Sequence, residues 1–238
     1  MTDVQNSLKI EDDFELQKLL LKNFSILLER SEFLWKKSLE NFEPTGKDSR
    51  SLIFNHLLRA LQFSYQNLHL FTYCCSTYSQ TKDFEKIYFG TKADLNSIRE
   101  INLHEYIYSP IHRFYYAIEN FFSNILKSKQ ISSKQSFNDG VRKVLELCEL
   151  SKKKSYFYML HIVRSCSHGN GISEHDCPKI DFSTGTFYAE KGKLVELPNL
   201  EVIMELLMYI VDALELVAFH EKLRDSKFIS DKFTESIG

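Results

Sequence analysis

Apolar residues recur at three- and four-residue steps along most of the chain, which is the spacing of one face of an α-helix. The pattern predicts two long helices, over residues 13–41 and 49–78. A stretch containing Pro and Gly separates them, and Asp48 near its end fits a helix N-cap. A third predicted helix covers residues 103–128, with a bend or restart at Pro110 because proline removes a helical hydrogen bond.

Shorter elements follow in the second half of the chain. Residues 136–150 and 154–168 predict two further amphipathic helices. Residues 179–197 contain short β-prone pieces punctuated by Thr-Gly and Lys-Gly, which predicts a small hairpin or a three-stranded meander. The apolar segment after Asn199 predicts the closing helix, with Asn199 as its cap. The predicted fold is all-α: an antiparallel helical bundle with a small β-hairpin insertion before the C-terminal helix.

No linker or change of composition divides the chain convincingly, so we expect a single helical domain over residues 1–238. Within it, residues 1–100 form the N-terminal helices and residues 101–225 form the later bundle. Residues 226–238 form a tail. A chain of this length can bury a full hydrophobic core.

Composition and charge narrow the class of protein. Hydrophobic residues make up 43% and charged residues 26% of the chain, the ordinary balance of a globular protein. The net charge of −2 gives no global attraction to nucleic acid, so such binding needs a local basic face. One candidate source of that face is the set of basic residues near the motif helix in sequence: Lys127, Lys129, Lys134, Arg142, Lys143, Lys152, Lys153 and Lys154.

The expected location is cytoplasmic, without membrane association. The N-terminal stretch is polar and acidic, unlike a signal peptide, and no apolar run approaches the roughly 18–20 residues of a membrane span. The five cysteines show no spacing typical of a disulfide framework, which favours a reducing compartment.

Candidate chemistry concentrates in "MLHIVRSCSHGNGI", residues 159–172. Helical spacing places His161, Arg164 and His168 on one stripe. A neighbouring stripe is apolar and is expected to face the core; it consists of Met159, Ile162, Val163 and Cys166. A histidine can exchange a proton near neutral pH, and an arginine supplies a charged planar fork that matches phosphate oxygens. Together they suit metal-free phosphodiester cleavage, with the RNA 2′-hydroxyl as the attacking group.

A structural interpretation of the same residues stays open. His168 stands directly before Gly169, which fits a helix C-terminus where an imidazole interacts with the last carbonyls. Arg164 would then pair with a carboxylate on a neighbouring helix.

The stretch "IVRSCSHGNGI" resembles the signature of the HEPN superfamily, the helical-bundle domains common in prokaryotic toxin and antiviral defence proteins. The order of elements over roughly residues 100–225 is also similar: a helix containing "YYAIENFFSNIL", a connecting helix, the motif helix, a hairpin and a closing helix. Three residues separate Arg164 from His168, a shorter spacing than is usual in that family.

The resemblance implies a metal-independent RNA endonuclease, or an RNA-binding relative, in a toxin or defence role. It also implies a homodimer in which two motif helices face one cleft. Arg164 would stabilise phosphate charge, His168 would act as general acid and base, and His161 would assist. The alternative is a non-catalytic helical protein–protein interaction module, with residues 1–100 forming the surface for a cognate protein partner.

The remaining motifs predict no metal and no cofactor. Cys166, His168, His175 and Cys177 lie close in sequence, but their spacing matches none of the common structural zinc sites. We expect Cys166 in the core and His175 in an exposed loop. The aromatic residues at helical spacing are also expected in the core, except that Tyr115 and Tyr116 are predicted to show an edge to solvent.

Overall fold

The computed structural model of the chain describes residues 2–42, 47–78, 95–132, 136–168, 171–226 and 228–231. Side chains are described over the same residues except 2–17, 71–78, 95–107 and 168.

The described chain is a helical bundle with one small β-hairpin before the last long helix, as the pattern predicts. The helices are α1 (Thr2–Asn41), α2 (Ser49–Tyr78), α3 (Leu95–Ser128), α4 (Phe137–Leu147), α5 (Lys154–His168), α6 (Leu200–Ala218) and α7 (Glu221–Arg224). The strands are β1 (Cys177–Asp181) and β2 (Thr186–Ala189). A short 3₁₀ turn, Ser151–Lys153, leads directly into α5. None of the helices in the described part of the chain is both long and apolar enough to cross a membrane.

Several helices differ from the prediction: α1 begins at Thr2 rather than at residue 13, and α3 begins at Leu95 rather than at residue 103. Helix α3 runs through Pro110 without a restart, and the fully buried Ile111 and Phe114 anchor it just beyond the proline. Their packing offsets the hydrogen bond that proline removes. Helix α4 ends at Leu147 rather than at residue 150, because Glu149 adopts a left-handed conformation with φ 58° that terminates the helix.

Contacts between side chains fix the directions of the central helices. Asn124 on α3 donates a hydrogen bond to Ser49 Oγ at the start of α2 (3.1 Å), so α2 and α3 run antiparallel. Phe122, near the end of α3, packs on Phe157 at the start of α5, with ring centroids 5.5 Å apart. Further back on α3, His112 Nε2 lies 3.3 Å from Ser167 Oγ at the end of α5, so these two helices are also antiparallel.

Helices α1 and α6 instead run parallel, although they are far apart in sequence. Arg30 contacts Asp212 at 3.2 Å, and Lys37, two turns later on α1, contacts Glu215 at 2.9 Å. Leu27 also lines a groove together with Met204 near the start of α6. These polar and apolar contacts join the N-terminal helices directly to the later bundle.

Among the side chains that the structure describes, helix α6 contributes the largest number of buried apolar residues. Asn199 caps it as predicted, since its side chain accepts a hydrogen bond from the Val202 N–H (2.9 Å). Burial of apolar surface is the main stabilising term in folding. The buried residues of α6 are Val202, Ile203, Met204, Leu206, Leu207, Ile210, Val211, Ala213, Leu214, Val217 and Ala218. They belong to one cluster with residues of the other long helices and the hairpin.

The hairpin is longer than the sequence indicates and begins earlier. Strands β1 and β2 pair antiparallel, with Ile180 opposite Phe187. Beyond an irregularity, Ile172 pairs with Leu194 in the same sense, so the first arm begins only a few residues after α5. Residues 172–178 of this arm lack a β-prone pattern, which is why the sequence prediction begins at residue 179.

Candidate functional site

Helix α5 is held on its apolar side by the core. The predicted apolar stripe is confirmed, since Met159, Ile162, Val163 and Cys166 are all buried. Phe157 and Leu160 are also fully buried. The buried surface is therefore wide, and Arg164 and His161 emerge at its edge, against α3.

Arg164 is held by two tyrosines of α3. Its Nη2 donates a hydrogen bond to the Tyr116 hydroxyl (2.8 Å). Its guanidinium carbon lies 5.0 Å from the ring centroid of Tyr115 and 5.5 Å from that of Tyr116, within cation–π distance of both. Among the described residues no carboxylate lies within ion-pair distance of the guanidinium, and the buried Nε has no hydrogen-bond partner. Within the described part of the chain, the positive charge is thus oriented by rings and forms an ion pair with no carboxylate.

The prediction for the tyrosines is half right. Tyr116 is exposed, whereas Tyr115 is buried. Tyr115 stacks on Phe137 of α4, with centroids 4.2 Å apart, so Phe137 covers one face of its ring. Burial, with a smaller contribution from Glu119, raises the pKa of Tyr115 to about 12, so its hydroxyl stays neutral at physiological pH.

His161 lies among aromatic rings beside Arg164. Its imidazole stacks on Tyr115 (5.6 Å between centroids) and on Phe137 (5.7 Å). Burial, and then the charges of His175 and Arg164, lower the pKa of His161 to about 4. The ring is therefore neutral at pH 7, and its buried Nδ1 has no hydrogen-bond partner among the described residues. This environment favours packing and positioning over proton transfer.

The hairpin adds residues that sequence spacing does not indicate. His175 is exposed in a loop, as predicted, but its ring lies 5.2 Å from that of His161. Glu174 beside it acts on the pKa of His161 in the opposite direction, raising it. No group of His, Cys, Asp or Glu in the described residues has an arrangement suited to a metal ion. Cys148, Cys166 and Cys177 are free and buried, and Cys166 thus lies in the core as predicted.

The carboxylate of Glu119, on α3, interacts electrostatically with Arg164. Partial burial raises the pKa of Glu119, and the charge of Arg164 opposes that increase. Ser167 Oγ donates a hydrogen bond to the Arg164 carbonyl oxygen (2.9 Å). The same hydroxyl lies 3.3 Å from His112 Nε2 on α3. The candidate site is therefore assembled from α3, α5 and the first arm of the hairpin. Only the α5 part of it follows from spacing along the sequence.

His168, the predicted general acid and base, is the last residue of α5, one turn beyond Arg164. Its side chain lies outside the described residues, as do Gly169 and Asn170. Of the predicted pair, the structure thus describes the side chain of Arg164 but only the helical backbone of His168.

The basic residues near the motif helix are partly neutralised. Arg142 contacts Asp139 (2.8 Å) and Glu146 (3.1 Å) on its own helix, α4. Lys143 contacts Asp139 as well (3.0 Å). Lys134 lies outside the described residues. The charges of Arg142 and Lys143 are therefore balanced by neighbouring carboxylates. Arg164 has no such ion pair in the described chain and is oriented by Tyr116 instead.

Two grooves on the described surface lie away from the candidate site. One, of about 640 Å³, lies along β2 and the segment leading to α6. The other, of about 290 Å³, lies between α1, α6 and the tip of the hairpin. Neither of these two grooves is lined by Arg164 or Tyr116. Comparison of the chain with models of known families, with curated proteins and with solved structures finds no match.

Proposed function

We propose that the chain is an RNA-binding protein and metal-independent RNA endonuclease that acts through Arg164 and His168. One observation carries this proposal: the guanidinium of Arg164 is held at the edge of the bundle by two tyrosines, with no carboxylate of the described chain paired to it. A charged, planar and partly preorganised donor of this kind matches a phosphate group.

The chemistry needs an acid and base next to the phosphate but no metal. The RNA 2′-hydroxyl attacks the phosphorus, the bond to the 5′-oxygen breaks, and the products are a cyclic phosphate and a free 5′-hydroxyl. His168 would accept the proton of the attacking hydroxyl and supply the proton that the leaving oxygen takes up. Arg164 would stabilise the negative charge that builds up on the phosphate oxygens.

In this proposal His161 does not assist in proton transfer, which is the role that the sequence suggested for it. With a pKa of about 4 its imidazole is neutral at pH 7 and is a weak proton acceptor. Its stacking with Tyr115 instead supports the ring on which Arg164 lies. We therefore propose a positioning role for His161.

The biological setting rests on the resemblance of the motif to the HEPN superfamily. It points to a cytoplasmic toxin or antiviral defence protein that acts as a homodimer, with two Arg164–His168 pairs facing one cleft. Light scattering of the purified chain tests the dimer directly.

The decisive experiment is cleavage of single-stranded and structured RNA in the presence of EDTA. We expect cleavage by the wild type and its loss in Arg164→Ala and in His168→Ala. Arg224→Ala, which removes an exposed arginine of α7, is the matched control and should retain activity. Thermal unfolding of each variant shows whether its fold is intact. RNA binding that depends on Arg164 without any cleavage would reduce the proposal to an RNA-binding protein.

A second candidate function, a non-catalytic protein interaction module, is favoured by the outer face of α1. Leu19, Ile26 and Phe33 recur there at seven-residue steps and are 37%, 46% and 56% exposed. Aligned apolar side chains of this kind are common at protein interfaces. If RNA is neither bound nor cleaved, this function becomes the better explanation, and charged substitutions at Ile26 and Phe33 test it in a search for partners.

A further inference from the structure

Tyr116 lies beside Arg164 and is far more exposed than its neighbour Tyr115. The Tyr116 side chain is 54% exposed, against 7% for Tyr115. The two rings are nearly perpendicular, with an interplanar angle of 88° and centroids 5.6 Å apart. Packing in the core therefore accounts for Tyr115, while Tyr116 projects from the bundle with much of its ring in water.

The position of Tyr116 links an aromatic surface to a phosphate-binding group. Its hydroxyl accepts the Arg164 Nη2–H, and the guanidinium lies near its ring. A phosphate bound by the remaining guanidinium donors would thus lie within one nucleotide length of the exposed ring. Aromatic rings beside a cationic group are a common arrangement for stacking unpaired bases, and such stacking tolerates all four bases.

We propose that Tyr116 is a specificity-determining residue that stacks on a nucleobase while Arg164 holds the adjoining phosphate. This inference rests on the proposed RNA-directed function. It adds that the site recognises a base and a phosphate together, so a phosphate without a base is a poorer ligand. Duplex RNA, whose bases are already stacked and paired, is also a poorer ligand than a single strand.

The test compares two probes that share one backbone. The first is a single-stranded 2′-O-methyl oligoribonucleotide, which lacks the attacking hydroxyl and so reports binding without cleavage. The second is the same oligomer with abasic residues throughout. Affinities are measured by fluorescence anisotropy for the wild type, Tyr116→Ala and Tyr116→Phe. Tyr188→Ala serves as the matched control, since Tyr188 is another exposed tyrosine, on β2.

We expect Tyr116→Ala to weaken binding of the base-bearing probe by about fivefold or more, because stacking of one base contributes about 1–3 kcal/mol. The same substitution should leave binding of the abasic probe nearly unchanged. Tyr116→Phe keeps the ring and should stay near the wild type, as should Tyr188→Ala. Equal losses on both probes would mean that Tyr116 only supports Arg164, and would overturn the inference.

The failure of this inference is distinguishable from failure of the proposed function. If the wild type binds both probes and Arg164→Ala weakens both, the phosphate site stands whatever Tyr116 does. If the wild type binds neither probe, the RNA-directed function is overturned and the role of Tyr116 with it.

Discussion

Arg50 and Arg164 both lie against aromatic rings, Arg50 over Phe42 and Arg164 over Tyr115, but their surroundings differ in almost every other respect. Arg50, near the start of α2, is buried and donates to both carboxylate oxygens of Asp48, at 2.9 and 2.7 Å. It also donates to the carbonyl oxygens of Leu223 (2.7 Å) and Ser226 (3.0 Å). Arg164 makes one side-chain hydrogen bond in the described chain, to a tyrosine.

The difference separates a structural arginine from a candidate functional one. The charge of Arg50 is neutralised by Asp48. Its hydrogen bonds to the carbonyl oxygens of Leu223 and Ser226 join the start of α2 to α7 and the segment after it. In that segment the Ile229 N–H also donates a hydrogen bond to Asp48 (3.2 Å). Arg164 keeps guanidinium donors that no group of the described residues accepts, beside an exposed ring. A folded chain rarely leaves such donors unused without a reason, and a ligand that supplies acceptors is one such reason.

Removal of Arg50 should have the largest effect on stability. In Arg50→Met the Asp48 carboxylate stays buried without its charge partner, and we expect the free energy of unfolding to fall by about 3–5 kcal/mol. Urea unfolding measures it. The double variant Asp48→Asn, Arg50→Met removes both charges and should recover part of the loss. A single-variant loss below about 1 kcal/mol would show that Arg50 is no more structural than Arg164.

The titration of His161 should give an intermediate effect. Its pKa is about 4 in the folded chain, below the ordinary value of 6.5, so the unfolded chain binds the proton more tightly. The free energy of unfolding should therefore fall as the pH drops from 6.5 toward 4. The stabilisation that the neutral imidazole of His161 provides is fully present above pH 6.5. NMR titration of the imidazole protons measures the midpoint, and His161→Gln should flatten this part of the profile. A midpoint near 6.5 would contradict the buried environment.

Removal of Arg164 should change stability least. Arg164→Met loses a hydrogen bond and two cation–π contacts, but it also removes a buried Nε that has no partner in the described chain. Each of these terms is on the order of 1 kcal/mol, so we expect the free energy of unfolding to stay within about 1 kcal/mol of the wild type. Arg113→Met, which removes an arginine lying over Phe63, is the control. A loss as large as that of Arg50→Met would assign Arg164 to the scaffold.

The helical fold follows from the sequence because its signal is local. Apolar spacing identifies the long helices, and a side-chain acceptor such as Asn199 marks a helix start. Pro110 illustrates the limit of that reasoning, because distant packing partners decide whether a proline interrupts a helix. The first arm of the hairpin shows the same limit. It begins near Ile172 because it pairs there with Leu194, and its own sequence pattern does not indicate that start.

The candidate site could be predicted only where it lies on one helix. Spacing along α5 identifies Arg164 and His161, and it predicts the buried stripe around Ile162. It gives no indication that Tyr116, forty-eight positions earlier, accepts a hydrogen bond from Arg164. It also gives no indication that the ring of His175 lies near that of His161, because both relations depend on how separate elements pack. The lowered pKa of His161 likewise reflects three-dimensional surroundings.

The parallel contact of α1 with α6 also bears on the order in which the molecule folds. Arg30 and Asp212 are 182 positions apart, and the core residues of α6 complete the burial of helices formed much earlier in the chain. Closing so long a loop carries an entropic cost before any contact compensates for it, and folds dominated by distant contacts fold slowly. During synthesis, the apolar face of α1 that packs on α6 must wait until nearly the whole chain has been made.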